Sequence, residues 1–152
     1  MLRLSTGLRN KMLGTDSFSG IFDAGVIYIY TGAQPASAND AVQGALLGRV
    51  TVGGGSFNFG NVANGLQFDT PSNGQIEKLA SDTWQFQGLA DGTAGWARLM
   101  GNALDDLGAS TPLPRVDYSI GRSGADLNLS NTSIVTNATH TIDVFRYSIP
   151  AQ

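Results

Sequence analysis

Short apolar runs separated by turn residues recur along the whole chain, and they constrain the fold more than any other feature of the sequence. The strongest run, Gly25–Tyr30, is apolar on both faces, because Val and Tyr side chains alternate there with Ile27 and Ile29. This pattern predicts a central strand that is covered on both sides. A chain of 152 residues has the usual length of one domain with a core of its own.

Further strands are predicted where apolar residues alternate with polar ones. The run 83–87 places Trp84 and Phe86 on one face, which favours core packing for both. After a tight turn at 91–95, the run 96–100 returns as a strand, so the two runs are expected to form a hairpin or a close antiparallel pair. The other predicted strands lie in 41–52, 65–68, 75–80, 115–120, 126–129 and 139–149, with a bulge or a two-sided strand indicated at 144–145.

The first segment predicts a short helix over 4–13. Ser5 or Thr6 can cap it, Gly14 can end it, and Leu4, Leu8 and Met12 recur at four-residue spacing. So short a helix is marginal in water, so it must dock, either as a lid on its own domain or as an arm on a partner. The chain is therefore predicted to be mainly β, a single antiparallel β-sandwich or jelly-roll-like domain (15–152) with a short N-terminal α-helix or arm (1–14).

Charge and composition exclude several classes of function. Charged residues make up 14% of the chain, the formal net charge is −3, and the basic residues are scattered. Nucleic-acid binding needs a basic stripe, so no direct contact with nucleic acid is expected. There is no cysteine, and no apolar run is long enough for a membrane span or a signal-peptide core, so a soluble protein is predicted.

The sequence offers little from which to build a catalytic or metal site. His140 is the single histidine, no nucleophile-elbow motif occurs, and His140 is expected at the edge of the last strand. The Asp105-Asp106 pair is expected to lie in a solvated loop, and Gly53–Gly55 resembles a hairpin turn more than a phosphate loop. We therefore predict no enzyme, no cofactor and no metal.

Aromatic residues leave one alternative open. On a β-sandwich, exposed rings can stack on sugars, and Trp84, Trp96, Tyr118 and Tyr147 are the possible platforms. Core packing is the simpler interpretation for the two tryptophans, because alternation groups Trp84 with another apolar residue. A carbohydrate-binding module is thus a rival interpretation.

Five segments, in order along nearly the whole chain, resemble small virion proteins of tailed bacteriophages. Their motifs are structural rather than catalytic. They are Leu2–Asn10, Ile27–Pro35, Ala90–Arg98, Ser123–Ser133 and Thr141–Pro150. The resemblance implies a structural component of the particle, made in the bacterial host cytoplasm and located in the virion.

Within that family, the resemblance favours a capsid decoration or cement protein on the capsid surface. Its partner would then be the major capsid protein, and a homo-oligomer, dimer or trimer, would suit symmetry axes of the lattice. A tail or baseplate component is the nearest rival. Partner contacts are expected first from the N-terminal helix, and secondly from the loop 31–40 and the last strand. The candidate contact residues are Leu4, Leu8, Arg9, Met12, Tyr30, Gln34 and Pro35.

Overall fold

The computed structural model describes residues 1–150, which form eleven β-strands and two short α-helices. The predicted fold class is confirmed: the chain is mainly β, with a large antiparallel sheet and a short N-terminal helix. The helices are α1 (Thr6–Gly14) and α2 (Phe18–Phe22). The strands are β1 (Arg3–Leu4), β2 (Val26–Thr31), β3 (Leu46–Val52), β4 (Gln75–Glu77), β5 (Trp84–Gln87), β6 (Gly92–Met100), β7 (Arg115–Gly121), β8 (Leu127–Asn128), β9 (Ser133–Ile134), β10 (Thr139–Ile142) and β11 (Arg146–Ser148).

The main sheet runs in the order β1–β7–β6–β2–β3–β5–β10, and all of these neighbours are antiparallel. Two short strands extend it, β8 parallel to β7 and β9 antiparallel to β6. A second, small sheet pairs β11 with β4. Ile76 and Tyr147 of this small sheet belong to the same buried cluster as Ile27 and Ile29 of β2, so the two sheets share one core.

Strand β2 lies in the middle of the main sheet and is buried on both faces, as the sequence predicts. Ile27 and Ile29 pack into the larger cluster. Val26, Tyr28 and Tyr30 pack into a smaller cluster on the opposite face. The loops before and after β3 and the loop after β6 cover this smaller cluster, which explains why both faces of β2 are apolar.

The N-terminal segment lies on the domain. Ser5 caps α1, since its Oγ accepts a hydrogen bond from the Leu8 N–H at 3.1 Å. Leu8 is fully buried in the larger cluster, and β1 pairs with β7. Gly7 has room for no side chain, because a Cβ there would lie 2.2 Å from the Pro112 carbonyl oxygen. Gly7 thus permits α1 to approach the loop before β7 closely.

The expected pairing of the runs 83–87 and 96–100 is wrong. Strand β5 pairs with β3 and β10, whereas β6 pairs with β2 and β7. The predicted turn at 91–95 belongs to β6 itself, which begins at Gly92 and carries a register shift at Gly95. Alternation indicates which face a side chain occupies, but it does not indicate which strand lies beside it.

The last predicted strand also differs from the structure. Residues 139–149 form two strands in two different sheets, with the break at 143–145 where a bulge was expected. The segment 65–68 makes only isolated bridges, Gly25 with Leu66 and Phe68 with Lys78. His140 was expected at the edge of the last strand; it lies within β10, which is an edge strand of the main sheet, and its ring stacks on Phe86 with the centroids 5.1 Å apart.

Candidate functional site

An apolar groove lies where the two helices meet the small sheet, and we call it the α1–β11 groove. Its apolar wall is formed by Met12, Phe18, Ile76, Tyr147 and Ile149, and its volume is about 310 Å³. The remaining lining residues are Asp16, Ser17, Ser19, Pro71, Gly74 and Gln75. An apolar wall surrounded by polar residues is the composition found at protein–protein contacts.

Local structure explains how the groove forms. Ser17 caps α2 by accepting the Gly20 N–H at 3.1 Å, which fixes the start of the helix and the position of Phe18. The Phe18 ring stacks on Tyr147 with centroids 4.1 Å apart and planes 12° from parallel. Ile76 lies directly opposite Tyr147 in the small sheet. The apolar wall is therefore stabilised by the stacking of Phe18 on Tyr147 and by the pairing of β4 with β11.

Large apolar side chains are exposed at the groove and beside it. Ile149 lines the groove and is 61% exposed, while Leu13, which follows Met12 in α1, is 88% exposed. Burial raises the pKa of the Tyr147 hydroxyl, so the groove contributes no phenolate charge at neutral pH. The groove thus presents a largely apolar surface, with Asp16 as its acidic lining residue.

A polar groove of about 380 Å³ lies on the other side of β4, and we call it the β4 polar groove. Side chains alternate along a strand, so Ile76 faces the apolar groove while Glu77 faces this one, and Gln75 at the start of β4 borders both. Arg146 and Glu77 form an ion pair of 2.6 Å whose side chains are 54% and 52% exposed. The lining residues are Asp69, Thr70, Ser72, Asn73, Gln75, Glu77 and Arg146.

The predicted contact residues fall into three groups. Leu8, Tyr30 and Pro35 are buried inside the chain, so their side chains present almost no surface to a partner. Met12 lines the α1–β11 groove, and Arg9 is exposed on α1. The remaining two are partly buried, Leu4 against the larger cluster and Gln34 in the loop after β2.

The structure brings the N-terminal segment and the loop 31–40 together. The Gln34 amide donates to the Met1 carbonyl at 2.8 Å, and the Arg3 guanidinium donates to the Pro35 carbonyl. Asn39 receives a hydrogen bond from the Thr6 N–H at 2.9 Å. The N-terminal segment and the loop 31–40 therefore form one continuous surface, which meets the α1–β11 groove through Met12. The last strand, the other second choice, lines the groove itself with Tyr147 and Ile149.

Two arginine–aspartate pairs are buried beside the sheet centre. Arg98 of β6 binds both carboxylate oxygens of Asp117 of β7, at 2.7 and 2.8 Å, and both side chains are fully buried. Burial raises the pKa of Asp117, although the hydrogen bonds and charge of Arg98 act in the opposite direction. Arg115 binds Asp105, so the expectation of a solvated loop at Asp105 is wrong. These pairs are enclosed by protein and serve the fold.

The aromatic rings named as sugar platforms are buried. Trp84 and Trp96 have no exposed surface, which confirms their predicted core packing. Tyr118 is 1% and Tyr147 is 8% exposed. Stacking on a sugar requires an open ring face, so these four residues form no such platform.

Sequence reasoning missed most of the groove. Helix α2 was not predicted, although a Ser17 cap followed by Phe18 and Phe22 at four-residue spacing is a helix signal. Ile76 and Tyr147 were placed in strands, but no local pattern pairs two segments that lie so far apart in sequence. Only Met12 of the groove was among the predicted contact residues.

Within the part of the chain that the structure describes, no helix has the length and apolarity needed to cross a membrane. Residues 1–150 contain no cluster of three histidine or acidic side chains placed to hold a metal ion. Comparison of the chain with protein-family models gives no match, and comparisons with curated proteins and with solved structures give none either.

Proposed function

We propose that the chain is a structural protein that binds an assembled lattice of other subunits, as a capsid decoration protein of a tailed bacteriophage. The five motifs that resemble small virion proteins support the phage assignment. The single observation that carries lattice binding is the α1–β11 groove, a largely apolar depression with exposed Ile149 in its lining and exposed Leu13 next to Met12 in the chain.

The chemistry of the groove suits a protein partner. Its wall is aliphatic and aromatic, and its polar lining residues are Ser17, Ser19 and Gln75, which are uncharged, and Asp16, which would repel an anionic ligand. Uncharged polar groups cost less to desolvate than ions do, which favours a contact with protein over one with phosphate or acidic sugar. An apolar side chain or a short turn of the major capsid protein fits about 310 Å³.

Lattice binding also explains how so small a domain would act. A protein that binds only the assembled capsid stabilises it by linkage, without any catalytic group. A dimer or trimer would repeat the groove around a symmetry axis of the lattice and so strengthen attachment through several contacts at once.

The experiment mixes the purified chain with empty capsids that lack it and images them by cryo-electron microscopy. Added density at regular capsomer junctions, with the α1–β11 groove turned toward the lattice, is the expected result. Bare capsids would contradict the proposal, and density on tails instead of heads would assign the chain to the tail.

Two matched variants test the role of the groove. Ile149→Asp places a charge in the groove at a residue that is 61% exposed, so the fold is kept while capsid binding should fall at least about tenfold. Val62→Asp changes a residue that is 74% exposed and lies outside the groove, and it should leave binding unchanged. Equal capsid binding by both variants would show that the groove does not contact the capsid.

A further inference from the structure

The chain contains two Asn-Gly pairs, Asn64-Gly65 and Asn73-Gly74, which differ in how many hydrogen bonds hold them in the structure. Asparagine followed by glycine is prone to an intramolecular reaction, because glycine leaves the following backbone nitrogen accessible. Asparagine is accordingly among the thermolabile residues of proteins. What decides the rate in a folded chain is how tightly each pair is held.

Asn73-Gly74 forms the exposed tip of a tight turn. Ser72 and Gln75 exchange two backbone hydrogen bonds of 2.9 Å, and the residues between them have φ of +51° and +72°. Positive φ at both central positions is typical of a type I′ turn, in which Asn-Gly is the favoured pair. Within residues 1–150, neither the Asn73 side chain nor the Gly74 N–H has a hydrogen-bond partner.

Asn64 is exposed, but both residues of the Asn64-Gly65 pair are held by hydrogen bonds. The Asn64 amide donates to the Ser56 carbonyl at 2.9 Å, and the Asn64 carbonyl accepts the Val52 N–H at 2.9 Å. The Gly65 N–H donates to the Val62 carbonyl at 3.2 Å, and Gly65 itself is buried. Both the attacking nitrogen and the amide it would attack are therefore engaged.

We propose that Asn73 is a site of spontaneous covalent modification, at which the Gly74 nitrogen converts the side-chain amide into a carboxylate. The Gly74 nitrogen loses its proton to solvent and bonds to Cγ of Asn73. The bond from Cγ to Nδ2 breaks, and ammonia leaves. Water then opens the five-membered imide at either carbonyl, which yields aspartate or, with the chain rerouted through Cγ, isoaspartate.

The modification changes both neighbouring grooves. Gly74 lines the α1–β11 groove, and its carbonyl accepts the Ile149 N–H at 2.8 Å. Isoaspartate inserts one extra backbone carbon beside Gly74, so this hydrogen bond and the Ser72–Gln75 pair cannot both keep their geometry. Either product also adds a negative charge to the β4 polar groove, which already contains Asp69 and Glu77. Modification should thus loosen the chain after β11.

The test incubates the intact protein at mildly alkaline pH and follows its chymotryptic peptides by mass spectrometry, since Phe68 lies between the two sites. We expect a gain of one mass unit at Asn73, with isoaspartate detected by enzymatic methylation. Asn64 should react more slowly by roughly fivefold for each hydrogen bond that must first break. Equal rates at the two sites, or faster reaction at Asn64, would overturn the proposal.

Two controls separate structure from local sequence. In strong denaturant the difference between the sites should vanish, and a difference that persisted would show that the fold is not its cause. Asn73→Gly keeps a residue that accepts positive φ and removes the reacting amide, so the mass gain at this peptide must disappear. In the unsubstituted protein, amide hydrogen exchange at Ile149 should rise as modification proceeds, and unchanged exchange would refute the effect on the chain after β11.

Discussion

Two arginine–carboxylate pairs bridge neighbouring antiparallel strands in this molecule, in very different surroundings. Arg98 and Asp117 join β6 to β7 with both side chains fully buried, whereas Arg146 and Glu77 join β11 to β4 with about half of each side chain exposed. Within each pair, the two residues lie directly opposite each other on neighbouring strands. The chemistry is the same, so the difference between the two regions comes from burial.

The two regions therefore differ in how readily they are expected to open. The β6–β7 region belongs to long, central strands and excludes water from its charges, so breaking its contacts is costly. The small sheet has strands of three residues each, an exposed ion pair and the α1–β11 groove on one side. Regions with few buried contacts open most readily, which suits a surface that adapts to a partner.

The largest expected effect comes from Asp117→Ala, which leaves the Arg98 charge buried without its partner. It should lower the free energy of unfolding by about 3–5 kcal/mol, measured by chemical denaturation. The matched change in the small sheet, Glu77→Ala, should cost less than about 1 kcal/mol, because water and salt screen that pair. Similar losses from the two substitutions would contradict the comparison.

A smaller contrast is expected between the two serine caps. Ser5 Oγ accepts the Leu8 and Arg115 N–H groups and donates to the Leu113 carbonyl, all in a fully buried position. Ser5→Ala should cost about 2 kcal/mol, since it orphans buried groups. Ser17→Ala removes two exposed hydrogen bonds beside the groove, one with the Gly20 N–H and one with the Ser19 hydroxyl, and should cost about 0.5–1 kcal/mol. Thermal or denaturant unfolding would measure the two losses of stability. A larger loss from Ser17→Ala than from Ser5→Ala would contradict the greater stability assigned to the region around β7.

The smallest effect concerns an exposed carboxylate, Asp91. Hydrogen bonds from the Thr136 N–H and hydroxyl, at 2.7 and 2.8 Å, lower the pKa of Asp91 below its usual 3.8. A lower pKa in the folded state means that this stabilisation is complete above pH 3.8 and is lost as pH falls through the folded value. Asp91→Asn should therefore alter stability less in acid than at neutral pH. A carboxyl titration by NMR with a midpoint at or above 3.8 would contradict this.

The sequence predicted features that depend on near neighbours. The two-sided β2 follows from an uninterrupted run of Val, Ile and Tyr. The four-residue repeat places the helix cap at Ser5 or Thr6, and the structure shows it at Ser5. Core packing of Trp84 follows from its alternation with polar residues. Each of these inferences needs only the periodicity of one element.

Features that depend on distant partners could not be predicted. Asp105 resembles a solvated loop residue until Arg115 of β7 is placed beside it. The split of residues 139–149 between two sheets becomes visible only when β4 and β5 are in position. The α1–β11 groove combines parts of four separate elements. Met12 was the one candidate contact residue in it, and the last strand, which supplies Tyr147 and Ile149, was expected to contact a partner only as a segment.

Hydrogen exchange on the intact protein, alone and bound to empty capsids, shows most directly whether the chain binds capsids through the α1–β11 groove. In the free protein, amides of β4 and β11 should exchange faster than those of β6 and β7. Capsid binding should then slow exchange around Met12, Ile76, Tyr147 and Ile149 and leave β6 and β7 unchanged. Slowing confined to the surface of Arg9 and Gln34, or slowing nowhere, would contradict binding through the α1–β11 groove.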